Sequence, residues 1–134
     1  MAYSIPENTL VVIADGRLAI LFRTQGLGEA MTLREERRLT PQDLDDEAAS
    51  GPSPVEQTER EEEEATFAKQ LARALYQMKH ARDYDRAILY ADPQTLGQVR
   101  KSMHKEVERS LIESVAKDLT KHDVKDIAQA IRRA

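Results

Sequence analysis

Two aspartates are the first residues in this chain that could do chemistry. Asp15 ends the stretch "TLVVIAD" and Asp92 ends "DRAILYAD", and each follows an apolar run that is typical of a buried strand. Carboxylates at strand ends can hold divalent metals for phosphodiester hydrolysis. The same positions also suit structural roles, because Asp15-Gly16 is a hairpin-turn dipeptide and Asp92 can cap a helix that Pro93 opens. We interpret both aspartates as structural and keep a metal site as the alternative.

Basic side chains are the second group with a chemical use. Four follow the Asp92–Pro93 corner and three recur later at four-residue spacing: Arg100, Lys101, Lys105, Arg109, Lys117, Lys121 and Lys125. Residues 1–64 carry 15 acidic and 6 basic side chains, whereas residues 65–134 carry 9 and 14. This imbalance favours contacts to a phosphate-bearing partner such as RNA, with an ordinary solvated surface as the alternative. Aromatic residues are too sparse along these segments to favour sequence-specific reading of single-stranded bases.

Several classes of protein are excluded or disfavoured by composition. The chain has no cysteine, which excludes disulfides, thiolate nucleophiles and cysteine-based zinc sites. Its histidines, His80, His104 and His122, do not have metal-ligand spacing, and we expect surface or packing roles for His104 and His122. No G-x-S-x-G motif or glycine-rich phosphate loop occurs, and no cofactor is expected. Neither a secretory signal nor an apolar run of about 20 residues is evident, so we expect a cytoplasmic protein without membrane insertion.

The elements that position these residues follow from periodicity and turn signals. A meander of three strands is expected first, followed by a long helix, a buried strand and a helix that begins at Pro93. The expected ranges are Leu10–Ala14, Arg17–Arg23 and Thr32–Leu39 for the meander, Glu59–Ala81 for the helix and Ala87–Ala91 for the buried strand. The acidic, proline-containing stretch Thr40–Thr58 should be a mobile loop. Gly97 should allow close packing of its helix against a neighbour.

The segment Glu106–His122 is ambiguous. Val107, Leu111, Val115 and Leu119 recur every four residues, which slightly favours a helix. The β-branched residues within 110–117 would instead suit a short fifth strand. After this segment, Asp123 is a suitable cap for an amphipathic C-terminal helix.

Four stretches together resemble a known bacterial family, the "protein required for attachment to host cells" family, which is grouped with release-factor-like domains. The stretches are "VVIADGRLAILFR", "FAKQLARALYQ", "RAILYADPQTLGQVRKSMHKEV" and "KDLTKHDVKDIAQAI". The resemblance covers about Val11–Ile131, and the TLGxxR and KDLTKH stretches are its most specific parts. It implies one α/β domain over residues 1–134, similar to ribonuclease H and to the middle domain of eukaryotic and archaeal release factors.

This resemblance has specific structural consequences. It implies a strand at 110–117 and a mixed five-strand sheet of order 3-2-1-4-5, with three main helices and with the second strand antiparallel to the rest. In that topology Asp15 and Asp92 lie on the same sheet edge, at a topological switch point. A metal cluster there would use both aspartates and a glutamate from Glu59–Glu64, although consecutive glutamates on a helix point in different directions.

The expected function follows from the same comparison. The chain contains no Gly-Gly-Gln, the motif with which release factors hydrolyse peptidyl-tRNA, so that reaction is not expected. We expect a non-enzymatic binding module that docks on a ribosome or another RNA-containing particle, with any attachment phenotype arising indirectly. A metal-dependent nuclease using Asp15 and Asp92 is the first alternative, and a surface adhesin is the second. The sequence does not determine the oligomeric state.

Overall fold

The computed structural model describes residues 5–44 and 56–133. These residues form five strands and four α-helices in the order β-β-β-α-β-α-α-β-α. The elements are β1 (Leu10–Ala14), β2 (Ala19–Gln25), β3 (Thr32–Leu39), α1 (Glu56–His80), β4 (Ala87–Ala91), α2 (Pro93–Ser102), α3 (Lys105–Ser110), β5 (Leu111–Ala116) and α4 (Val124–Arg133). A short 3-10 turn at Gly28–Ala30 joins β2 to β3. The three main helices expected from the sequence are α1, α2 and α4, and the short α3 is an addition.

The five strands form one mixed sheet in the order β3-β2-β1-β4-β5. β2 runs antiparallel to both β1 and β3, while β1, β4 and β5 are parallel to one another. Every residue of β1 and β4 is buried, as expected for central strands with apolar runs that are covered on both faces. The α/β class, the strand order and the pairing of β1 with β4 are therefore confirmed.

Helices cover both faces of the sheet. On one face Leu10, Val12 and Leu89 pack with the apolar stripe of α1 and with α2 and α3. On the other face Val11 and Ile13 pack with Ile127 and Ile131 of α4. The alternation of side chains along β1 thus divides the core into two layers, one on each side of the central strands.

The strand at 111–116 resolves the ambiguity in the sequence. β5 pairs with β4 in parallel register, and the helical tendency of the preceding residues is confined to the six-residue α3. Leu111–Val115 are half-buried because β5 lies at the edge of the sheet. The four-residue apolar repeat is thus divided among three elements: Val107 in α3, Leu111 and Val115 in β5, and Leu119 in the following loop.

Some element boundaries differ from those expected from the sequence. β2 begins at Ala19 instead of Arg17, because the connection from β1 takes four residues, and it extends to Gln25. α1 begins at Glu56, three residues early. Thr40 and Asp43 exchange hydrogen bonds in a turn, and Leu44 packs on the core. Residues 56–58, which were expected to belong to the mobile loop, are instead the first residues of α1, and residues 45–55 lie outside the described residues.

The role expected for Gly97 is wrong. A methyl group added at this position would have no heavy atom within 4 Å among the described residues, apart from its own helix and its chain neighbours. Gly97 is exposed, while Leu96 and Val99 make the contacts that bury α2. The glycine is therefore not required for close packing.

No helix among the described residues is long and apolar enough to cross a membrane.

Candidate nucleic-acid interface

The carboxylate of Asp15 organises the turn between β1 and β2. Its Oδ1 accepts hydrogen bonds from the main-chain N–H groups of Arg17 and Leu18, both at 2.8 Å. Its Oδ2 accepts a longer bond, 3.3 Å, from the hydroxyl of Thr120. These bonds explain why the turn takes four residues, and they give Asp15 the structural role that its sequence context favours.

Asp92 caps α2. Its Oδ2 accepts a 3.1 Å hydrogen bond from the N–H of Thr95, and its main-chain carbonyl accepts from Leu96. Pro93 occupies the first helical position, where the missing N–H costs nothing. The cap expected from the sequence is therefore present.

A glutamate from α1 does approach the turn at Asp15. A methyl group on Gly16 would lie 2.7 Å from Oε2 of Glu64, so the Glu64 carboxyl group rests directly over this glycine. The neighbours Glu61, Glu62 and Glu63 are exposed. Among the side chains that the structure describes, no three acidic or histidine residues converge in a geometry that could hold a metal ion.

The basic residues singled out in the sequence separate into two groups at opposite ends of the parallel strands. Arg109 precedes the start of β5 and Lys117 follows its end. Six strand residues span roughly 20 Å, so the two groups do not form one surface. Arg100, Lys101 and Lys105 lie near Arg109, because α2 runs from the end of β4 back toward the start of β5. The second group, Lys117, Lys121 and Lys125, lies at the other end of the strands.

A cleft at the end of the sheet where the parallel strands begin is lined by further basic residues. It measures about 710 Å³ and lies between the end of α1, the α1–β4 turn and α3. Its basic lining residues are Lys79, His80, Arg82, Arg86 and Arg109, and its acidic ones are Asp85 and Glu106. We call this surface the edge cleft. Permanent cations outnumber carboxylates two to one in it, which suits a polyanion.

Three arginines of the edge cleft are exposed and lack ion-pair partners. Among the described residues, the salt bridges of Arg23, Arg34 and Arg38 do not involve these three arginines. Arg82, Arg86 and Arg109 therefore present their guanidinium groups to solvent. Arg guanidinium groups bind phosphate oxygens with paired hydrogen bonds, so this arrangement suits a phosphate backbone.

Arg82 occupies an unusual backbone position. Its φ is 61°, and the N–H groups of Arg82 and Asp83 bond to the carbonyls of Lys79 and Met78. This is the pattern of a Schellman motif, in which the left-handed residue after a helix is usually glycine. An L residue in this conformation costs about 1 kcal/mol or more, so the position carries an arginine at the expense of local stability.

The turn that carries Arg82 is anchored by buried polar groups. Arg23, 3% exposed, makes a 2.9 Å ion pair with Glu36 and a 3.2 Å ion pair with Asp83. The hydroxyl of Tyr84 donates to the Leu75 carbonyl at 2.8 Å, and burial raises the pKa of Tyr84 to about 12. The Lys79 ammonium donates to the carbonyls of Tyr84 and Asp85. The backbone of the edge cleft is thus held by side chains that face inward.

A second groove adjoins the edge cleft between α1 and the α2–α3 connection. Its main lining residues are Lys69, Arg73, Tyr76, Met103, His104 and Lys105. The rings of Tyr76 and His104 stack with centroids 4.1 Å apart, and the ring of His80 lies 5.9 Å from that of Tyr76. We call this surface the stacking groove.

Sequence reasoning found Lys105 and Arg109 but missed the α1–β4 turn. The stretch "KHARDYDR", Lys79–Arg86, contains three permanent cations and a histidine in eight residues. That density is a signal in itself, but only the fold brings the stretch beside α3. The expectation for His104 is confirmed in that the residue lies on the surface and packs on Tyr76.

A third pocket lies on the opposite face of the sheet, beside α4. Its lining includes Lys117 and His122 together with two carboxylates, Glu113 and Asp126. Burial, and then the nearby Glu113, raise the pKa of Tyr90 beside it. The balance of charge makes this pocket less suited to a polyanion than the edge cleft.

Comparison with known families agrees with the fold. The model of bacterial archaeo-eukaryotic release factor family 12 matches residues 8–131, which include all five strands, the whole of α1, α2 and α3, and most of α4. No curated protein sequence matches the chain significantly. The release-factor part of the resemblance is thereby confirmed. The chain belongs to bacterial archaeo-eukaryotic release factor family 12.

Proposed function

We propose that the protein is a non-enzymatic, release-factor-like binding module that docks on a ribosome or another RNA-containing particle through the edge cleft. The observation that carries this proposal is the convergence of Arg82 and Arg86 with Arg109, which is distant from them in sequence, in one exposed cleft without ion-pair partners among the described residues. Family membership supports a ribosomal context. The missing Gly-Gly-Gln motif argues against peptidyl-tRNA hydrolysis.

The strained position of Arg82 supports the same proposal. A residue that costs local stability and makes no ion pair among the described side chains is best explained by a contact with a partner. The attachment role that the sequence resemblance implies would then be indirect, since a module bound to RNA affects host contact through regulation.

The direct test uses two charge-matched triple variants. One carries Arg82→Gln, Arg86→Gln and Arg109→Gln in the edge cleft, and the other carries Lys117→Gln, Lys121→Gln and Lys125→Gln at the opposite end of the strands. Both variants lose three positive charges from exposed side chains. The wild type and the lysine variant should sediment with bacterial ribosomes, whereas the arginine variant should remain in the supernatant.

The salt dependence of binding gives an independent measure. Each phosphate contact adds roughly 0.7–0.9 to the slope of log affinity against log salt concentration. The arginine variant should therefore lower this slope by about 2, and the lysine variant should leave it unchanged. Equal losses in the two variants would show that total charge, not the edge cleft, governs binding. Wild-type protein found only in ribosome-free, RNA-free fractions would refute the proposed function.

A metal-dependent nuclease is the other candidate, and one observation favours it. Glu64 lies over Gly16, next to Asp15, at the sheet edge where the notional metal cluster would form. Cleavage of RNA or DNA by the wild type only in the presence of Mg²⁺ or Mn²⁺, abolished by Asp15→Asn and by Asp92→Asn without unfolding, would establish this alternative and overturn the binding-module proposal.

A further inference from the structure

We propose that the stacking groove binds one unpaired nucleotide of a single-stranded RNA. The base would stack on His104, and the neighbouring phosphates would contact Lys69 and Lys105. This inference rests on the proposed function and specifies the form of RNA that the protein prefers. It concerns a surface beside the edge cleft, and it depends on the rings of Tyr76 and His104, which line the stacking groove but not the edge cleft.

The ring of Tyr76 contacts two histidine rings. Tyr76 is half-buried and stacks on His104 at a centroid distance of 4.1 Å and an angle of 27°, while the ring of His80 lies 5.9 Å away at an angle of 34°. His104 and His80 are both exposed. A nucleobase that stacks on His104 would extend an existing stack, and base–aromatic stacking contributes about 1–3 kcal/mol per base.

The orientation of His104 is fixed by the backbone. Its Nδ1 accepts a 3.0 Å hydrogen bond from the N–H of Glu106 and thereby caps α3. A neutral imidazole that accepts at Nδ1 carries its proton on Nε2. The ring is therefore held in place before any ligand arrives, which lowers the entropy cost of binding, and its Nε2–H can donate a hydrogen bond to the nucleotide.

The charges around the rings suit phosphate groups on either side of the base. Lys69 projects from α1 and Lys105 from the start of α3, and both are exposed. Among the described residues, no carboxylate lines this groove, whereas Asp85 and Glu106 line the edge cleft. Aromatic faces between cationic side chains are the combination that binds single-stranded nucleic acid with little sequence preference.

The stacking groove continues into the edge cleft. Tyr76 in the groove contacts His80 in the cleft, and Lys105 is followed directly by Glu106 of the cleft lining. A single RNA strand can thus place a base in the groove and its next phosphates in the cleft. A rigid duplex cannot do so, because its bases are already paired and stacked inside the helix.

The test measures binding of a fluorescent adenosine octamer of RNA and of an RNA duplex with the same number of phosphates. The key variant is His104→Asn, because asparagine is a good N-cap but has no ring to stack on. Tyr76→Leu is the second variant, since leucine keeps an apolar side chain at the half-buried position. Each variant is first checked by urea unfolding against the wild type.

The expected result is a loss of at least fivefold in octamer affinity for both variants, with no change in the salt slope or in duplex affinity. Lys69→Gln and Lys105→Gln should instead lower the salt slope. If both ring variants bind the octamer as tightly as the wild type does, the inference is wrong and the stack only fastens the α2–α3 connection to α1. The inference is also wrong if octamer and duplex affinity fall equally.

These results distinguish the inference from the proposed function. If the edge-cleft arginine variant loses ribosome binding while His104→Asn keeps full octamer affinity, the proposed function stands and the stacking site falls. If the wild type binds neither ribosomes nor either RNA, the proposed function fails and the stacking site fails with it.

Discussion

The hydroxyl of Tyr84 donates a 2.8 Å hydrogen bond to the main-chain carbonyl of Leu75, nine residues earlier in the chain. Tyr84 is 3% exposed and precedes β4, whereas Leu75 lies in the body of α1. The bond thus ties the residues just before β4 back to α1, across the turn that carries Arg82. Burial explains why this tyrosine holds its proton to high pH.

Tyr84 should make the protein less stable in alkali. Its pKa is about 12 in the folded state, against the ordinary value of 10.0 for the unfolded chain. Below pH 10 both states are protonated, so its stabilising effect is fully present. Between pH 10 and 12 the unfolded chain loses the proton first, and the free energy of unfolding should fall as pH rises. Urea unfolding at pH 8, 10 and 11 measures this decline.

Tyr84→Phe is the control for that decline, because other groups also titrate in alkali. The variant should lose about 1 kcal/mol at pH 8, where the buried Leu75 carbonyl loses its donor. The gap between wild type and variant should then narrow as the pH rises above 10. A gap that stays constant from pH 8 to 11 would show that Tyr84 does not titrate differently in the two states.

The buried charge of Arg23 should be compensated jointly by its two carboxylate partners, so that losing both destabilises the fold more than the sum of the single losses. Glu36 and Asp83 both pair with it, and either alone still compensates most of its charge. We expect less than about 1 kcal/mol of destabilisation for Asp83→Asn, whose side chain is 55% exposed. The double variant Glu36→Gln/Asp83→Asn should lose about 3 kcal/mol, because it leaves a buried guanidinium without a counter-charge. Urea unfolding of both singles and the double variant tests this, and strictly additive losses would contradict it.

Local signals in the sequence were sufficient for most of the fold. The unbroken apolar runs of β1 and β4, the Asp-Gly turn and the Asp-Pro corner each depend on a few neighbouring residues, and the structure has all of them. The strand at Leu111–Ala116 was different. Its local pattern favoured a helix, and pairing with β4, a contact distant in sequence, decides its conformation. Only resemblance to a family supplied that information.

The candidate site was less predictable for a related physical reason. The edge cleft combines Arg82 and Arg86 with Arg109, residues that no local pattern connects. The seven basic residues taken from the sequence were grouped by spacing along the chain. Because β5 lies between the two halves of that group, they are at opposite ends of the strands. The ring contact between Tyr76 and His104 likewise arises from helix packing.

Gly97→Ala should stabilise the protein. Gly97 lies in the exposed part of α2 and would place its methyl group in open space. Alanine is favoured over glycine in a helix interior by about 1 kcal/mol, and nothing among the described residues opposes it. We expect a gain of roughly 0.5–1 kcal/mol in urea unfolding. A loss of stability would mean that a contact outside the described residues needs the glycine.

Two substitutions of Asp92 distinguish a helix-capping role from a role that needs its negative charge. Asp92→Ala should cost about 1 kcal/mol because the N–H of Thr95 loses its acceptor. Asp92→Asn should retain most of this stability, since the asparagine oxygen also accepts from the helix. Urea unfolding gives both values. Asp92→Asn as damaging as Asp92→Ala would show that the negative charge itself is needed at this corner.

Arg82→Gly should make the protein more stable and a weaker binder at once. Glycine adopts the left-handed conformation at φ 61° without strain, so the free energy of unfolding should rise by up to about 1 kcal/mol. The same change removes a guanidinium from the edge cleft, so ribosome binding should weaken and the salt slope should fall by nearly 1.

A second substitution at the same position serves as the matched comparison. Arg86→Gly is unsuitable for this purpose, because Arg86 directly precedes β4. Arg82→Asn should also relieve the strain, because asparagine tolerates this conformation, and should weaken binding equally. Urea unfolding and ribosome sedimentation of the wild type and both variants decide the matter. If both variants are more stable and bind as well as the wild type, the arginine is not held in this position for RNA, and the strain at Arg82 no longer supports the proposed function.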